Sequence, residues 1–465
     1  MRKKGSAKKG KAPARPPKPE PMEDAPQKPA VWLPGDELEE GETLQYDPSV
    51  YDCLSTLTLD WPSLSFDLLR DHLGAPRAAF PHTLFMVAGT QASSVKQNYL
   101  AVMKVSNLAL SKAAAARQKA AAAAAQQQQQ KEGDGSDSDE DMLEGSDGES
   151  DEEGEEETAQ LHIRKVAHTG GINRVRACPQ QPHIVASWAD TAQVQVWDLS
   201  AQLNELKDEA APVAGSQGKV HKVNARHVHT HSSEGYAVDW SPVAAGRLAS
   251  GDCRSRIHVW EPTPAGKWAV SSAYRGHEAS VEDLQWSPTE ETVFASASVD
   301  KTVRIWDTRE NSKAMLSVKA HVADVNVISW NRATTYMLAS GGDDGVLRVW
   351  DLRNLADNSF VANFAYHRGP VTSVEWCPHE SSMLATTSSD NQLAVWDLAL
   401  ERDPEEEAAL APETNALAPD NLPPQLLFVH GGQTDMKEMH WHPQITGMMV
   451  STAADGINIF KPYNV

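Results

Sequence analysis

Five short runs share one alternation of apolar and polar positions: VQVW (194–197), IHVW (257–260), VRIW (303–306), LRVW (347–350) and LAVW (393–396). A period of two gives a strand with one buried and one exposed face. An Asp stands shortly before each run, at Asp190, Asp252, Asp300, Asp344 and Asp390, in the place of a hairpin turn. A second apolar strand precedes the turn in LAS (248–250), FAS (294–296), LAS (338–340) and LAT (384–386). Further upstream, Trp-x-Pro at 240–242, 286–288, 376–378 and 441–443 ends a strand where proline removes no ladder hydrogen bond.

Two distances inside this unit stay fixed while its length varies. A histidine lies 29 residues before the closing Trp in the pairs His168/Trp197, His231/Trp260, His277/Trp306, His321/Trp350 and His367/Trp396. Trp240, Trp286, Trp330 and Trp376 each lie 20 residues before it, and Ala177 takes that slot in the first unit. From His430 the longer step reaches Ile459, beside Phe460. Self-similarity at this period predicts an all-β protein, a seven-bladed β-propeller. Six units are visible. Residues 57–66, 83–90, 98–105 and 161–168 supply the strands of the remaining blade. An N-terminal segment is expected to complete the last blade, because an open ring leaves two raw strand edges.

Charge divides the chain further. The net charge is −22, yet residues 1–19 hold eight Lys or Arg and no acid, whereas 132–157 hold fifteen Asp or Glu and no base. With both set aside the ring remains acidic. The expected domains are a disordered basic tail (1–45), an N-terminal segment with the first blade (46–110), a disordered Ala/Gln and acidic insertion (111–159), and the remaining propeller (160–465). The Ala and Gln runs favour helix but carry no apolar stripe, so they read as a spacer. Ser136, Ser138, Ser146 and Ser150 each have an acid three residues later, an acidophilic phosphorylation pattern. The four cysteines show no CxxC spacing and are expected to be reduced and buried. No apolar run is long enough to span a membrane, and the basic N-terminus lacks a signal core.

The repeat, from His168 to Phe460, resembles the WD40 family. The resemblance implies a buried hydrogen-bonded set of loop His, strand Ser or Thr, turn Asp and closing Trp. His277, Ser298, Asp300 and Trp306 match it, as do His367, Ser388, Asp390 and Trp396; Gly342, Ala453 and Trp188 break the Ser position. The histidines are therefore structural, and no metal or cofactor is expected.

Two flanks narrow the family. Tyr51–Leu54 with LDWPSL (59–64), and LPPQLLFVHGG (422–432), resemble the histone-binding WD40 proteins of the retinoblastoma-binding and chromatin-assembly-factor type. That resemblance implies a groove for a histone helix between an N-terminal helix and an acidic loop. Leu54 and Leu57 would form one wall; Asp403, Glu405, Glu406, Glu407 and Asp420, followed by Pro423 and Pro424, would form the other. It also implies a tail-binding face at Asn173, Glu234, Tyr236, Glu282 and Asn326, with Gly171 and Pro370 standing where those proteins place acids. The glutamate-rich insertion and basic tail together are similar to the glutamate-rich WD-repeat family.

Three functions compete. The first is a nuclear and nucleolar, chromatin-associated chaperone for basic proteins. Its clients would be histones in chromatin assembly and a basic protein of the large ribosomal subunit, with replication-licensing factors as further candidates. The second is a substrate receptor docking on a cullin–RING ligase adaptor, implied because Trp306–Arg309 and Trp350–Arg353, with Asp307/Arg309 and Asp351/Arg353, resemble the WDxR feature of WD40 proteins that dock on such ligases. The third, an enzyme, is disfavoured because the chain shows no P-loop, HExxH, nucleophile elbow or dinucleotide fingerprint. A monomer is expected.

Overall fold

The computed structural model describes residues 46–133, 158–208, 219–310, 312–401 and 422–465. These form seven sheets, one per blade, each with a core of four antiparallel strands. The inner strands, from blade one to blade seven, are Ser63–Leu69, Ile172–Cys178, Val238–Trp240, Val281–Trp286, Val325–Trp330, Val371–Trp376 and Glu438–Trp441. In blades two to six the second strand leads through the Asp turn into the third, which carries the closing Trp. The start of every inner strand and the Asp turn therefore share one end of the ring, the upper end. The Trp-x-Pro turns lie at the lower end.

The ring closes through the chain's N-terminal side. Tyr51–Leu57 runs antiparallel to Gly456–Pro462 as the outer strand of blade seven, with Leu54 opposite Phe460. A chain starting at residue 46 is expected to unfold in one cooperative thermal transition. A chain starting at residue 58 loses this strand, exposes the edge of Gly456–Pro462 and should melt earlier and aggregate. Circular dichroism melts of the two chains check this.

The Trp–hydroxyl–His bonds recur in blades two to six, with one shift from the expected residues, and the His–Asp bond completes them in blades four to six; in blade two His168 Nδ1 bonds Gly170 O instead. In blade four, Trp306 Nε1–H donates to Ser296 Oγ at 2.8 Å. Ser296 donates in turn to His277 Nε2 at 2.6 Å, and His277 Nδ1–H donates to Asp300 at 2.8 Å. In blade six Thr386 takes the place of Ser296, between Trp396 and His367. Ser298 and Ser388, matched to the set from sequence, lie one step further along the same strand face. Ser298 Oγ donates to Ala279 O and Ser388 Oγ to Gly369 O, so both cap the turn instead. The hydroxyl is not broken at Gly342 either, because Ser340 fills the position. In blade two Ser187 fills it, while Trp188 bonds across to Ala237 O and Gly251 O of blade three. Burial pushes the His277 imidazole below its usual pKa, which keeps it neutral and able to accept at Nε2.

Blade seven dispenses with the set. Phe460 stands opposite Met449, as Trp396 stands opposite Leu384, but has no N–H to give. His430 instead stacks on Phe460 at 4.1 Å and hydrogen-bonds the hydroxyl of Tyr51 at 2.7 Å. The closing strand thus supplies the polar partner that the missing indole cannot.

Side chains on the inner strands join the blades. Asp67 accepts from Ala177 N, Asp239 from Trp286 N, Asp283 from Ile328 N and Glu375 from Trp441 N, each across one blade interface. Glu438 of blade seven completes the circuit. One of its oxygens accepts from Phe66 N of blade one, and the other meets Arg174 and Arg176 of blade two, both at 2.7 Å. His440 lies 3.7 Å from the same carboxylate, a charge contact rather than a hydrogen bond. Burial would raise Glu438, but the two arginines hold it well below the usual carboxylate range.

Two features depart from expectation. Lys112–Gly133, expected within a disordered insertion, forms helix α1. Its Ala114 is buried, and Arg117 pairs with Asp52 on the closing strand. A second helix, α2 (Ser200–Lys207), follows the third strand of blade two, and Val220–His221 adds a parallel strand to the outer edge of blade one.

Candidate functional site

The upper mouth of the channel is built by a repeated irregularity. The pairing of the inner strand with its neighbour skips one residue near its start in five blades, among them blades two, four and five: between Ile172 and Arg174, Val281 and Asp283, and Val325 and Val327. The skipped residues are Asn173, Glu282 and Asn326. A bulge of this kind leaves a side chain out of the pleat and re-aims it, which puts these three on the channel rim.

Hydrogen bonds fix the rim residues. Asn173 donates to Gly235 O at 3.2 Å and accepts from Gln91 at 2.9 Å. Asn326 donates to Asp343 at 2.8 Å and to Val371 O at 3.1 Å. Arg174 holds the carbonyl of Tyr236. Glu234 is exposed, and its carbonyl receives Cys253 N. Burial raises Glu282 above the usual carboxylate range; Arg174 opposes this and Asp324 adds to it. Burial likewise raises Tyr236, assisted by the charges of Glu234 and Glu282. The rim therefore gathers Glu234, Glu282, Asp324 and Asp343 around amide and phenol groups, an arrangement suited to a cationic peptide. Asp324 and Asp343 were not singled out from sequence; both lie within three residues of Asn326 or the Asp344 turn, so their place on the mouth follows only from the blade register.

Gly171 lacks a side chain at the place where the resemblance implies an acid. A Cβ built there would sit 3.1 Å from Asp190 Oδ2. The turn carboxylate thus occupies space next to the missing one. Pro370 is exposed and brings no charge.

The second surface is reached from the lower end. Asp403, Glu405, Glu406, Glu407 and Asp420 lie outside the described residues, as do Ser136, Ser138, Ser146 and Ser150. Pro423 and Pro424 lead into the outer strand of blade six, Leu426–His430. Leu54 is half-buried and packs in one cluster with Leu427 and Phe428. Leu57 departs from the expected groove wall: it is 8% exposed and belongs to a different, interior cluster. The strand's alternation explains both, because Leu54 and Leu57 are an odd number of residues apart and face opposite sides. No α-helix precedes this strand among the described residues; a 3-10 turn, Pro48–Val50, does.

The two WDxR features sit at the lower end of neighbouring blades. Asp307 and Asp351 each hold their arginine in a forked ion pair. Arg309 and Arg353 remain 76% and 64% exposed. Arg353 also lies over the Tyr336 ring at 3.6 Å. Among the described residues no group of three or more His, Cys, Asp or Glu could hold a metal ion.

Comparison with known proteins agrees with this architecture. Residues 41–109 match the family of the histone-binding protein RBBP4, whose members include a subunit of the CAF1 complex. Residues 267–307, 312–351 and 358–397 match the WD domain, G-beta repeat. The chain is 51% identical to "Glutamate-rich WD repeat-containing protein 1" of Dictyostelium discoideum, over 93% of this chain and 85% of that protein. It is 49% identical to "Protein HEAT STRESS TOLERANT DWD 1" of Arabidopsis thaliana, over 94% and 92%. It is 39% identical to "Ribosome assembly protein rrb1" of Schizosaccharomyces pombe, over 92% and 84%. The solved WD40 β-propeller domain of Doa1 superposes with a TM-score of 0.53 at 12% identity, covering 88% of this chain and 96% of that one, and shows the fold alone.

Proposed function

Because the chain belongs to the glutamate-rich WD-repeat family, related to the histone-binding WD40 proteins, we propose that it is a non-enzymatic scaffold and chaperone for basic proteins. Its clients are histones in chromatin assembly and a basic protein of the large ribosomal subunit, handled in the nucleus and nucleolus. Replication-licensing factors are a further partner class in this reading, and the scaffold works as a monomer. The observation that carries it is the upper rim, where four carboxylates surround Asn173, Tyr236 and Asn326. Such a field attracts Lys- and Arg-rich segments and orients them before contact. The acidic run 132–157 adds a sequence-tolerant attraction that salt screens over about 8 Å at physiological ionic strength. The side groove at Leu54 and the 401–424 loop supplies client choice.

Isothermal titration against a histone pair and a basic ribosomal protein, at two salt concentrations, separates these surfaces. Deleting 132–157 should weaken binding at low salt and preserve client choice. Glu234→Gln with Glu282→Gln should weaken histone-tail peptides on the order of tenfold, about 1.4 kcal/mol. Gln at Glu405, Glu406, Glu407 and Asp420 should erase client choice. Normal binding by the rim and loop variants, with all binding lost on deleting the run, defeats the reading.

A second reading, docking on a cullin–RING ligase adaptor, is favoured by Arg309 and Arg353. Both are exposed, similarly pinned and on adjacent blades. Arg309→Ala with Arg353→Ala should abolish co-purification with the adaptor and leave histone binding intact.

A further inference from the structure

The channel also has a lower mouth, where a cavity of about 160 Å³ opens. A single water needs roughly 10–15 Å³ of such space, so a small ion and its hydration fit. Arg70 and Arg332 both line the cavity. Arg70 follows the inner strand of blade one, and Arg332 follows that of blade five, on the far side of the ring. Two guanidinium groups therefore enter one mouth from opposite walls. Among the described residues neither has a hydrogen bond or an ion-pair partner. Arg174 and Arg176 of blade two also line the cavity but are by contrast committed to Glu438. Burial and then the charge of Arg332 lower the pKa of Arg70, and the charge of Asp67 offsets them only in part. The two like charges thus feel each other across the mouth.

We propose that the lower mouth of the channel is an oxyanion site in which Arg70 and Arg332 clamp a phosphoryl group. A planar guanidinium presents parallel donors that match phosphate oxygens bidentately. A carboxylate satisfies one such fork with a single charge; a phosphoryl group offers more oxygens and up to two charges for two forks. The cavity's own carboxylates do not take this role. Asp67, Asp239, Asp283 and Glu375 already accept Ala177 N, Trp286 N, Ile328 N and Trp441 N. Burial pushes Asp67 and Asp283 up, and Asp239 to about 7, which reduces the negative charge of Asp239 near neutral pH. The site is distinct from the upper rim, and its success or failure is independent of client binding there.

The test uses the full chain, so that the basic residues 1–19 are common to every sample. Inorganic pyrophosphate, a phosphoserine peptide and citrate are titrated calorimetrically at constant ionic strength into wild type and into Arg70→Gln/Arg332→Gln. Wild type should bind pyrophosphate one-to-one and melt at higher temperature in its presence. The double variant should lose at least tenfold in affinity while melting like wild type without ligand. Arg332→Lys should retain part of the affinity, because it keeps the charge and loses the fork. Tighter binding of the phosphoserine peptide identifies a partner-borne phosphate, and tighter binding of pyrophosphate a free one; either supports the site. Equal binding to the double variant, no binding to wild type, or equal binding of citrate overturns it.

Discussion

Glu438→Ala is expected to destabilise the ring by about 3–5 kcal/mol, read as a fall in denaturant midpoint with the slope unchanged. The change leaves Arg174, Arg176 and His440 facing one another across the channel with their common carboxylate gone, and it leaves Phe66 N without its acceptor. Glu438→Gln separates charge from shape: it can still accept from Phe66 N but not neutralise two arginines. pH adds an independent readout. Burial alone would lower His440, but Glu375 and Glu438 hold it up at about 10. A raised histidine contributes stability that is complete below its unfolded value of 6.5 and lost as pH rises through about 10. Glu438, held below 4.5, contributes stability present above that value and lost as pH falls through its folded pKa. The Gln variant should therefore lose its alkaline stability at lower pH than wild type. A midpoint and pH profile equal to wild type for both variants would show that the closure does not depend on this carboxylate.

Trp306→Ala is expected to destabilise by a similar amount, about 3–5 kcal/mol, through loss of a fully buried indole and the cavity it leaves. The more discriminating pair is Ser296→Ala against Ser298→Ala. Ser296 accepts the Trp306 N–H and donates to His277, so its loss leaves a buried donor and a buried acceptor unpaired, at about 1–3 kcal/mol. Ser298 caps a turn, and its loss should be the milder. Chemical denaturation of the three variants orders them as Trp306, Ser296, Ser298. If Ser298→Ala is the worse of the two serines, the hydroxyl relay is misassigned.

That pair also marks where sequence stops being sufficient. Alternation and the fixed spacing of His and Trp made the strands, their order and the ring closure legible, because each is a local pattern repeated in register. The identity of the relay hydroxyl was not legible. Ser296 and Ser298 share one strand face, and a period of two cannot choose between them; only the cross-strand register does. Leu57 was misplaced for a related reason: a resemblance carries a segment over as a whole, while the strand sends Leu54 and Leu57 to opposite sides. Glu438 gave no signal at all, since Arg174 and Arg176 lie 264 and 262 residues away in sequence. The rim bulges were equally silent, although the side chains that occupy them were matched individually.

The closing strand sets a timetable for synthesis. Thr56 and Asn458, partners across it, are 402 residues apart. The ribosome releases the first long before it makes the second, so every blade but the seventh can assemble on a chain whose earliest strand has no neighbour. During that interval both ends of the unfinished arc present unpaired edges, the state in which propellers are most open to capture by other chains. Sealing comes last and at one seam. Damage to that seam should therefore show itself first as lost yield during synthesis, before any change in the finished ring's contacts with its partners.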